Sequence, residues 1–189
     1  MAKTEPIRDK NQLKSLADYF LKRGQIRNYT LMVMAIYTVI RISDLLKLRW
    51  SDVYNFESNS FRKHLSVVEH KTGKYKSIAL NGQAVQALSL YFKSRKCEYI
   101  FDNGRGKHLS RVQAWRIMHE ATTAIGIDDT VACHGLRKTW GYHAWTSQQV
   151  SPVIIMDIYN HSNYEITKRY LGVEQDDLDQ AYLNIDLLS

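Results

Sequence analysis

Apolar residues recur at helical spacing in "NQLKSLADYFLKRG", where Leu13, Leu16, Ala17, Phe20 and Leu21 share one face. Asp9 stands where an N-cap belongs and Gly24 closes the segment, so a first helix is expected between them. "IRNYTLMVMAIYTVI" is apolar almost all round and too long for a strand. That predicts a buried central helix running up to Arg41. A shorter helix is expected in "SDLLKL". The period then changes: "LSVVEHK" and "KSIALN" are β-rich runs flanking "TGKY", with Gly73 supplying the freedom that a tight hairpin needs. A third strand is expected near Trp50 to Tyr54. Helices resume at "GQAVQALSLYFKSR", with Val85, Leu88 and Phe92 on one face, and after Ser110, whose pairing with Gln113 reads as a capping box. "HGLRKTWGYHAW" predicts another helix, Ser151 followed by Pro152 marks a further start, and Asn163 is placed to cap the segment holding Tyr170. Beyond Gly172 the tail turns acidic, while Leu178, Tyr182 and Ile185 recur on one face, which predicts an amphipathic end helix. The pattern as a whole is mainly α with a small antiparallel β-sheet.

Composition narrows the setting. The chain has 189 residues, 44% hydrophobic and 24% charged, enough to bury a core and short enough for one domain. With two prolines in all and no Ser/Gly-rich linker, a single domain over residues 1–189 is expected. Lys and Arg number 26 against 19 Asp and Glu, a net charge of +7 that favours a polyanionic partner such as nucleic acid. Cys97 and Cys133 lie far apart and form no pair with metal spacing, so neither a disulfide framework nor a zinc site is expected, and a reducing cytosol fits. No run of about 18 apolar residues occurs, and "MAKTEPIRDKNQLK" lacks the apolar stretch of a signal peptide. Neither membrane nor export is indicated.

Several basic residues sit where a solvated surface would not put them. Arg41, in "TVIRISDLLKLRW", follows an apolar helix, with Asp44 three residues on as a brace. Standing alone, such an arginine is more often half of a structural ion pair. His134 and Arg137 in "HGLR" project from one side of a helix. His161 falls in the loop "YNHSN", and Tyr170 ends "ITKRY". A phenol with pKa about 10 is a poor nucleophile unless activated, and most helical tyrosines simply pack. Lys71 beside a hairpin turn reads first as a solubilising charge. His64, His70, His108, His119 and His143 carry no motif, and Tyr159 and Tyr164 compete with Tyr170 on residue type alone.

Taken in order, Arg41, Lys71, His134, Arg137, His161 and Tyr170, with the tyrosine nine residues after the last histidine, resemble the tyrosine recombinase (phage integrase) family. "HGLRKTWGYHAW" and "HSNYEITKRYLGV" match two family boxes, "IRISDLLKLRWSDV" a third, and the likeness covers nearly the whole chain. Two places depart from the family's pattern: Val39 stands where a glycine is frequent, and Tyr159–Asn160 where a Leu–Gly pair is frequent.

The resemblance implies the fold of a tyrosine recombinase catalytic domain. It implies that Arg41 and Arg137 clamp a phosphate, that Lys71 is the hairpin lysine and general acid, that His134 and His161 are the active-site histidines, and that Tyr170 is the nucleophile. The reaction implied is DNA cutting and rejoining through a 3′-phosphotyrosyl intermediate, as in site-specific recombination and integration. Arginine forks stay charged at any working pH and bind two oxygens each, so no metal and no cofactor is expected. The implied partner is double-stranded DNA, bound by a homo-tetramer with room for accessory DNA-bending proteins, the tail 174–189 docking in trans or folding back in cis. The implied setting is the cytoplasm, the protein being encoded by a bacterium, a phage or a mobile element. Many relatives carry a helical DNA-binding domain ahead of this one. None is expected here, as in an excised catalytic domain or the shorter invertase-like relatives. Two other readings share these residues: a type IB topoisomerase that relaxes DNA without partner exchange, and a basic DNA-binding module with a silent site.

Overall fold

A computed structural model describes residues 4–127, 133–147 and 149–171, with the separate positions 177, 179, 182 and 183. The chain divides into two compact units, residues 1–140 and 141–189.

The first unit is built on helices whose starts are set locally. Helix α1 spans Lys10–Lys22, and the Asp9 carboxylate accepts the Asn11 amide at 2.8 Å, so the N-cap lies where the sequence puts it. Leu16 and Phe20 on its inner face are fully buried. Helix α2, Ile26–Tyr37, is the apolar centre of the unit, with every residue from Thr30 to Ile36 buried. It stops four residues short of the expected end at Arg41. The reason lies at Val39, whose φ of 55° takes the chain into the left-handed region and turns it out of the helix. Arg41 instead caps α3, Ile42–Leu45, and is not the last residue of the apolar helix.

Trp50–Val53 forms a one-turn helix, α4, and not the expected third strand. Asp52 accepts the Arg49 amide at 2.8 Å through its carboxylate and donates its own amide to the Arg49 carbonyl at 3.0 Å, and these local bonds outweigh the strand preference of Trp50 and Val53. The strand pairing falls just beyond it, where β1 (Tyr54–Asn55) and β2 (Ser60–Phe61) make a separate two-stranded ribbon. Strands β3 (His64–Val68) and β4 (Tyr75–Ala79) pair antiparallel as expected, with Leu65 opposite Ile78 and Val67 opposite Lys76. Alternation puts Leu65 in the core and leaves Val68 and Tyr75 largely exposed.

Helix α5, Gly82–Phe92, packs on α2, and the Thr30 hydroxyl donates to the Ala87 carbonyl at 3.1 Å across that contact. Its buried face is Ala84, Ala87, Leu88 and Tyr91, while Val85 and Phe92 lie at its margin. Small residues there let the two backbones approach. Trp50, Tyr54, Phe61 and Phe92 form an aromatic cluster, with ring centroids of Tyr54 and Phe92 4.3 Å apart. Helix α6, Arg111–Ala124, begins at the Ser110–Gln113 capping box read from the sequence. Helix α7 spans Cys133–Thr146. Its first half is held by the N-terminal segment: the Ile7 amide donates to the Thr139 hydroxyl at 2.9 Å, and Lys138 Nζ donates to the Thr4 carbonyl at 2.7 Å.

In the second unit, α8 (Pro152–Tyr159) starts at Ser151, whose hydroxyl accepts the Val153 amide at 3.3 Å. It ends on Asn160 in the left-handed conformation, a role that asparagine fills more readily than other non-glycine residues. Helix α9 (Tyr164–Leu171) follows, and the Asn163 carboxamide accepts the Ile166 amide at 3.0 Å. Ile155, Tyr159, Thr167 and Leu171 are buried. The Tyr159 hydroxyl accepts the Gly141 amide at 3.1 Å, close enough that a methyl group at Gly141 would come within 3.0 Å of it. Apart from Asp177, Asp179, Tyr182 and Leu183, the expected tail helix lies outside the described residues. Among the described residues, no helix is long and apolar enough to cross a membrane.

Candidate active site

Arg41, Lys71, His134 and Arg137 line one cavity of about 260 Å³ in the first unit, together with Ile42, Ser43, Arg111 and Cys133. Four residues drawn from three separate stretches of sequence thus meet at one place. Arg137 is 4% exposed, and its Nε donates to the Val39 carbonyl at 2.7 Å. The left-handed turn at Val39 is what aims that carbonyl, so the loop delivering Arg41 is tied to the helix delivering Arg137.

The partner of Arg41 is not Asp44. Its Nη1 lies 2.8 Å from Oε2 of Glu69, a carboxylate with no solvent exposure. Asp44 accepts the His70 amide at 3.4 Å instead. A buried carboxylate is tolerated only when paired, and Glu69 has a second cation, Lys76 Nζ, 3.2 Å from Oε1. No local motif singles out Glu69 or Lys76 in the sequence. Strand parity marks both: Glu69 continues the inward alternation of Leu65 and Val67, and Lys76 pairs across with Val67.

Lys71 occupies the turn between β3 and β4 and is exposed. The turn closes through the Gly73 amide on the Glu69 carbonyl at 2.8 Å, with Gly73 at a φ of 65°. Lys71 also lines a neighbouring cavity of about 580 Å³ with Arg41, Lys47, His70, His108 and Arg111. Lys47 and Arg111 extend the positive surface beyond the expected set, and only the three-dimensional grouping reveals them.

His134 is an exposed residue whose ring is partly desolvated by the protein around it. That desolvation, followed by the charges of Arg137, Lys138 and Arg41, pushes its pKa down to about 4. The ring is therefore neutral at pH 7 and has a nitrogen lone pair to accept a proton.

In the second unit, Tyr170, His161 and Tyr159 form a ring cluster. His161 stacks on Tyr159 with centroids 5.3 Å apart and meets Tyr170 edge-on at 5.0 Å. His161 Nδ1 lies 3.0 Å from the hydroxyl of the buried Thr167, which fixes the ring's rotation. Of the competing tyrosines, Tyr159 is wholly buried with its hydroxyl engaged by Gly141, and Tyr164 sits exposed at the start of α9. Among the described residues, no group of three or more His, Cys, Asp or Glu is arranged to hold a metal ion.

The model of the phage integrase family matches residues 8–176, almost the entire chain. This chain belongs to the phage integrase family. It is 36% identical over 181 residues to a probable integrase/recombinase, YoeC, of Bacillus subtilis (strain 168), covering 94% of both proteins. It is 27% identical over 161 residues to the tyrosine recombinase XerC of Roseiflexus castenholzii, covering 75% of this chain and 49% of that protein. The fold matches the crystal structure of XerA recombinase with a TM-score of 0.76 at 20% identity, covering 97% of this chain and 64% of that one. It also matches a lambda integrase dimer bound to a COC′ core site, with a TM-score of 0.72 at 19% identity, covering 100% of this chain and 52% of that one. The chain thus spans nearly the full length of the Bacillus relative and about half that of the Xer relative. The mostly helical architecture with small antiparallel ribbons is that of tyrosine recombinase catalytic domains.

Proposed function

We propose that this tyrosine recombinase cuts and rejoins double-stranded DNA at a specific site, with Tyr170 as nucleophile. Its two units together are read as one catalytic domain. The observation that carries the reading is the shared cavity of Arg41, Lys71, His134 and Arg137, a cationic lining suited to one phosphodiester.

A phosphodiester resists attack because its non-bridging oxygens carry negative charge that grows toward the pentacoordinate transition state. Arg41 and Arg137 meet that charge with fixed guanidinium donors, and His161 adds a further donor. The Tyr170 oxygen attacks phosphorus and gives up its proton, for which His134, neutral at pH 7, is the acceptor. The bond from phosphorus to the 5′ oxygen breaks, and the Lys71 ammonium returns a proton to that oxygen. The products are a 3′-phosphotyrosyl link and a free 5′-hydroxyl. Attack by a 5′-hydroxyl from another strand reverses every one of these transfers and needs no ATP. Because the arginines supply the charge that a metal ion would otherwise supply, the reaction is expected to run in the presence of a chelator.

Strand exchange between two duplexes uses four such sites, so a tetramer on DNA is the assembly proposed, with the tail after Tyr170 as its connecting segment. The solved relatives include XerH recombinase bound to its difH substrate in a post-cleavage complex. Together with relatives named recombinase and integrase, this favours strand exchange over relaxation alone.

A duplex carrying the inverted-repeat core that the protein protects in a footprint, nicked so that cleavage traps the adduct, tests the reading. Wild-type protein is expected to shift on a denaturing gel, with EDTA present, and Tyr170→Phe is not. An adduct that persists in Tyr170→Phe and disappears in Tyr164→Phe would assign the nucleophile to Tyr164.

A further inference from the structure

Glu69 sits at a junction that the reaction just described leaves unused. Its carboxylate is fully buried and lines neither basic cavity, yet it contacts the residue that does. Oε2 is 2.8 Å from Arg41 Nη1 and accepts a hydrogen bond from the Thr72 hydroxyl at 3.0 Å, while Oε1 is 3.2 Å from Lys76 Nζ. The backbone of the same residue closes the turn that bears Lys71. Its carbonyl accepts the amides of Gly73 at 2.8 Å and Thr72 at 3.3 Å, and its own amide donates to the Lys74 carbonyl at 2.9 Å. One residue therefore touches both the arginine of the clamp and the loop of the general acid.

We infer that Glu69 is a positioning residue for strand cleavage, its carboxylate holding the Arg41 guanidinium at the phosphate cavity while its backbone closes the Lys71 turn. The inference rests on the reading of function given above.

The electrostatics explain why a carboxylate next to an anion-binding cavity is not self-defeating. Glu69 alone would cancel Arg41 and abolish its attraction for phosphate. Lys76 restores the balance, since two cations against one carboxylate leave a net positive charge at the cavity. Lys76 is partly desolvated, which lowers its pKa, and Glu69 acts against that lowering, while Arg137 and Arg41 add to it. An arginine side chain has several freely rotating bonds, and a guanidinium fixed by a buried carboxylate has already given up that freedom before substrate arrives. A partner of this kind orients the group that binds, as the hydrogen-bond partners of metal ligands do, whose loss typically costs about 10- to 100-fold.

The test is single-turnover adduct formation on the nicked duplex at saturating DNA, with DNA affinity measured separately. Glu69→Gln is expected to keep a wild-type circular dichroism spectrum and near wild-type DNA affinity while cleaving about 10- to 100-fold more slowly. In an Arg41→Ala background the same change is expected to add no further loss, because Glu69 acts through Arg41. A purely structural role would instead carry its full loss into that background. Wild-type cleavage by Glu69→Gln, a loss of DNA affinity as steep as the loss of rate, or a loss that multiplies with that of Arg41→Ala overturns the inference. Should Glu69→Gln fail to fold, Glu69→Asp, which keeps the charge one methylene shorter, is carried through the same cycle with the same criteria. Absence of any adduct from wild-type protein overturns the reading of function itself, and this inference with it.

Discussion

The Nε of Arg137 donates a 2.7 Å hydrogen bond to the carbonyl oxygen of Val39, 98 residues earlier in the chain. Val39 is a buried, β-branched residue at a φ of 55°, a conformation that costs an L-residue about 1–2 kcal/mol. The strain persists because the turn does two things at once. It ends the central apolar helix α2 and presents a carbonyl to an arginine that lines the basic cavity.

Substitution at Val39 is therefore expected to reverse the usual order of glycine and alanine. At an ordinary position glycine is about 0.5–1 kcal/mol less stable than alanine, because of the extra freedom it loses on folding. Both replacements here remove the buried side chain, but only glycine relieves the left-handed strain. Val39→Gly is expected to unfold in urea at a higher midpoint than Val39→Ala, and to retain cleavage because the carbonyl remains. A lower midpoint for glycine would show that the turn carries no such strain.

Arg137→Lys separates charge from geometry. The lysine keeps a positive charge but has no Nε to donate to Val39 and no planar fork for two oxygens. Cleavage of the nicked duplex is expected to fall about 100- to 1000-fold, the typical cost of removing one preorganised donor. The salt dependence of DNA binding, which follows the number of cations on phosphates, is expected to stay close to wild type. Equal losses in both measurements would place Arg137 among general DNA contacts.

Elements legible in the sequence were those governed by a few neighbouring residues. Asp9, Ser110 with Gln113, Ser151 with Pro152, and Asn163 each cap the helix they were read to cap, since the partner amide is always two or three residues away. The β3–β4 hairpin followed from alternation and Gly73. What escaped was decided at longer range or by backbone conformation. Nothing in the composition of "YTVIR" shows that Val39 turns left-handed, so the apolar pattern alone carries α2 on to Arg41. Trp50 to Val53 reads as a strand until the Asp52 cap on Arg49 is counted. Likewise Asp44 looked like the brace of Arg41 because it lies three residues away. The carboxylate that pairs with Arg41, Glu69, is 28 positions downstream and by its local sequence passes for an exposed charge beside a turn. Arg41, Lys71, His134 and Arg137 were readable as a set only through their order along the chain, and the structure places these four at one cavity.

The pKa of His134 near 4 predicts a specific acid sensitivity. The folded value lies below the ordinary histidine value of about 6.5, so between those two pH values the unfolded chain binds more protons at this position than the folded one. His134 thus favours the folded state fully above pH 6.5, and that contribution fades as pH falls toward 4. Carboxylates also titrate in this range, so the comparison must be between variants. The urea midpoint of wild-type protein is expected to drop more from pH 6.5 to 4.5 than that of His134→Gln. Parallel curves would mean that the imidazole titrates at its ordinary pH.

Gly141 offers a test of the second unit and of the ring cluster around Tyr170. A β-carbon there would lie within 3.0 Å of the Tyr159 hydroxyl and of Leu171 Cδ2, and both side chains are fully buried with little room to shift. Overpacking of this kind costs about 1–3 kcal/mol. Gly141→Ala is therefore expected to lower stability, and to slow adduct formation because Tyr159 stacks on His161 and also contacts Tyr170. Tyr159→Phe removes the hydroxyl that meets the added methyl group. Alone it is expected to be mildly destabilising, since it removes the hydrogen bond from the Gly141 amide, a bond of a kind worth about 0.5–1.5 kcal/mol. Combined with Gly141→Ala it opens space for the methyl, so the double variant is expected to be more stable than the sum of the two single losses allows. Strict additivity in urea unfolding would show that Tyr159 is not what the methyl group strikes.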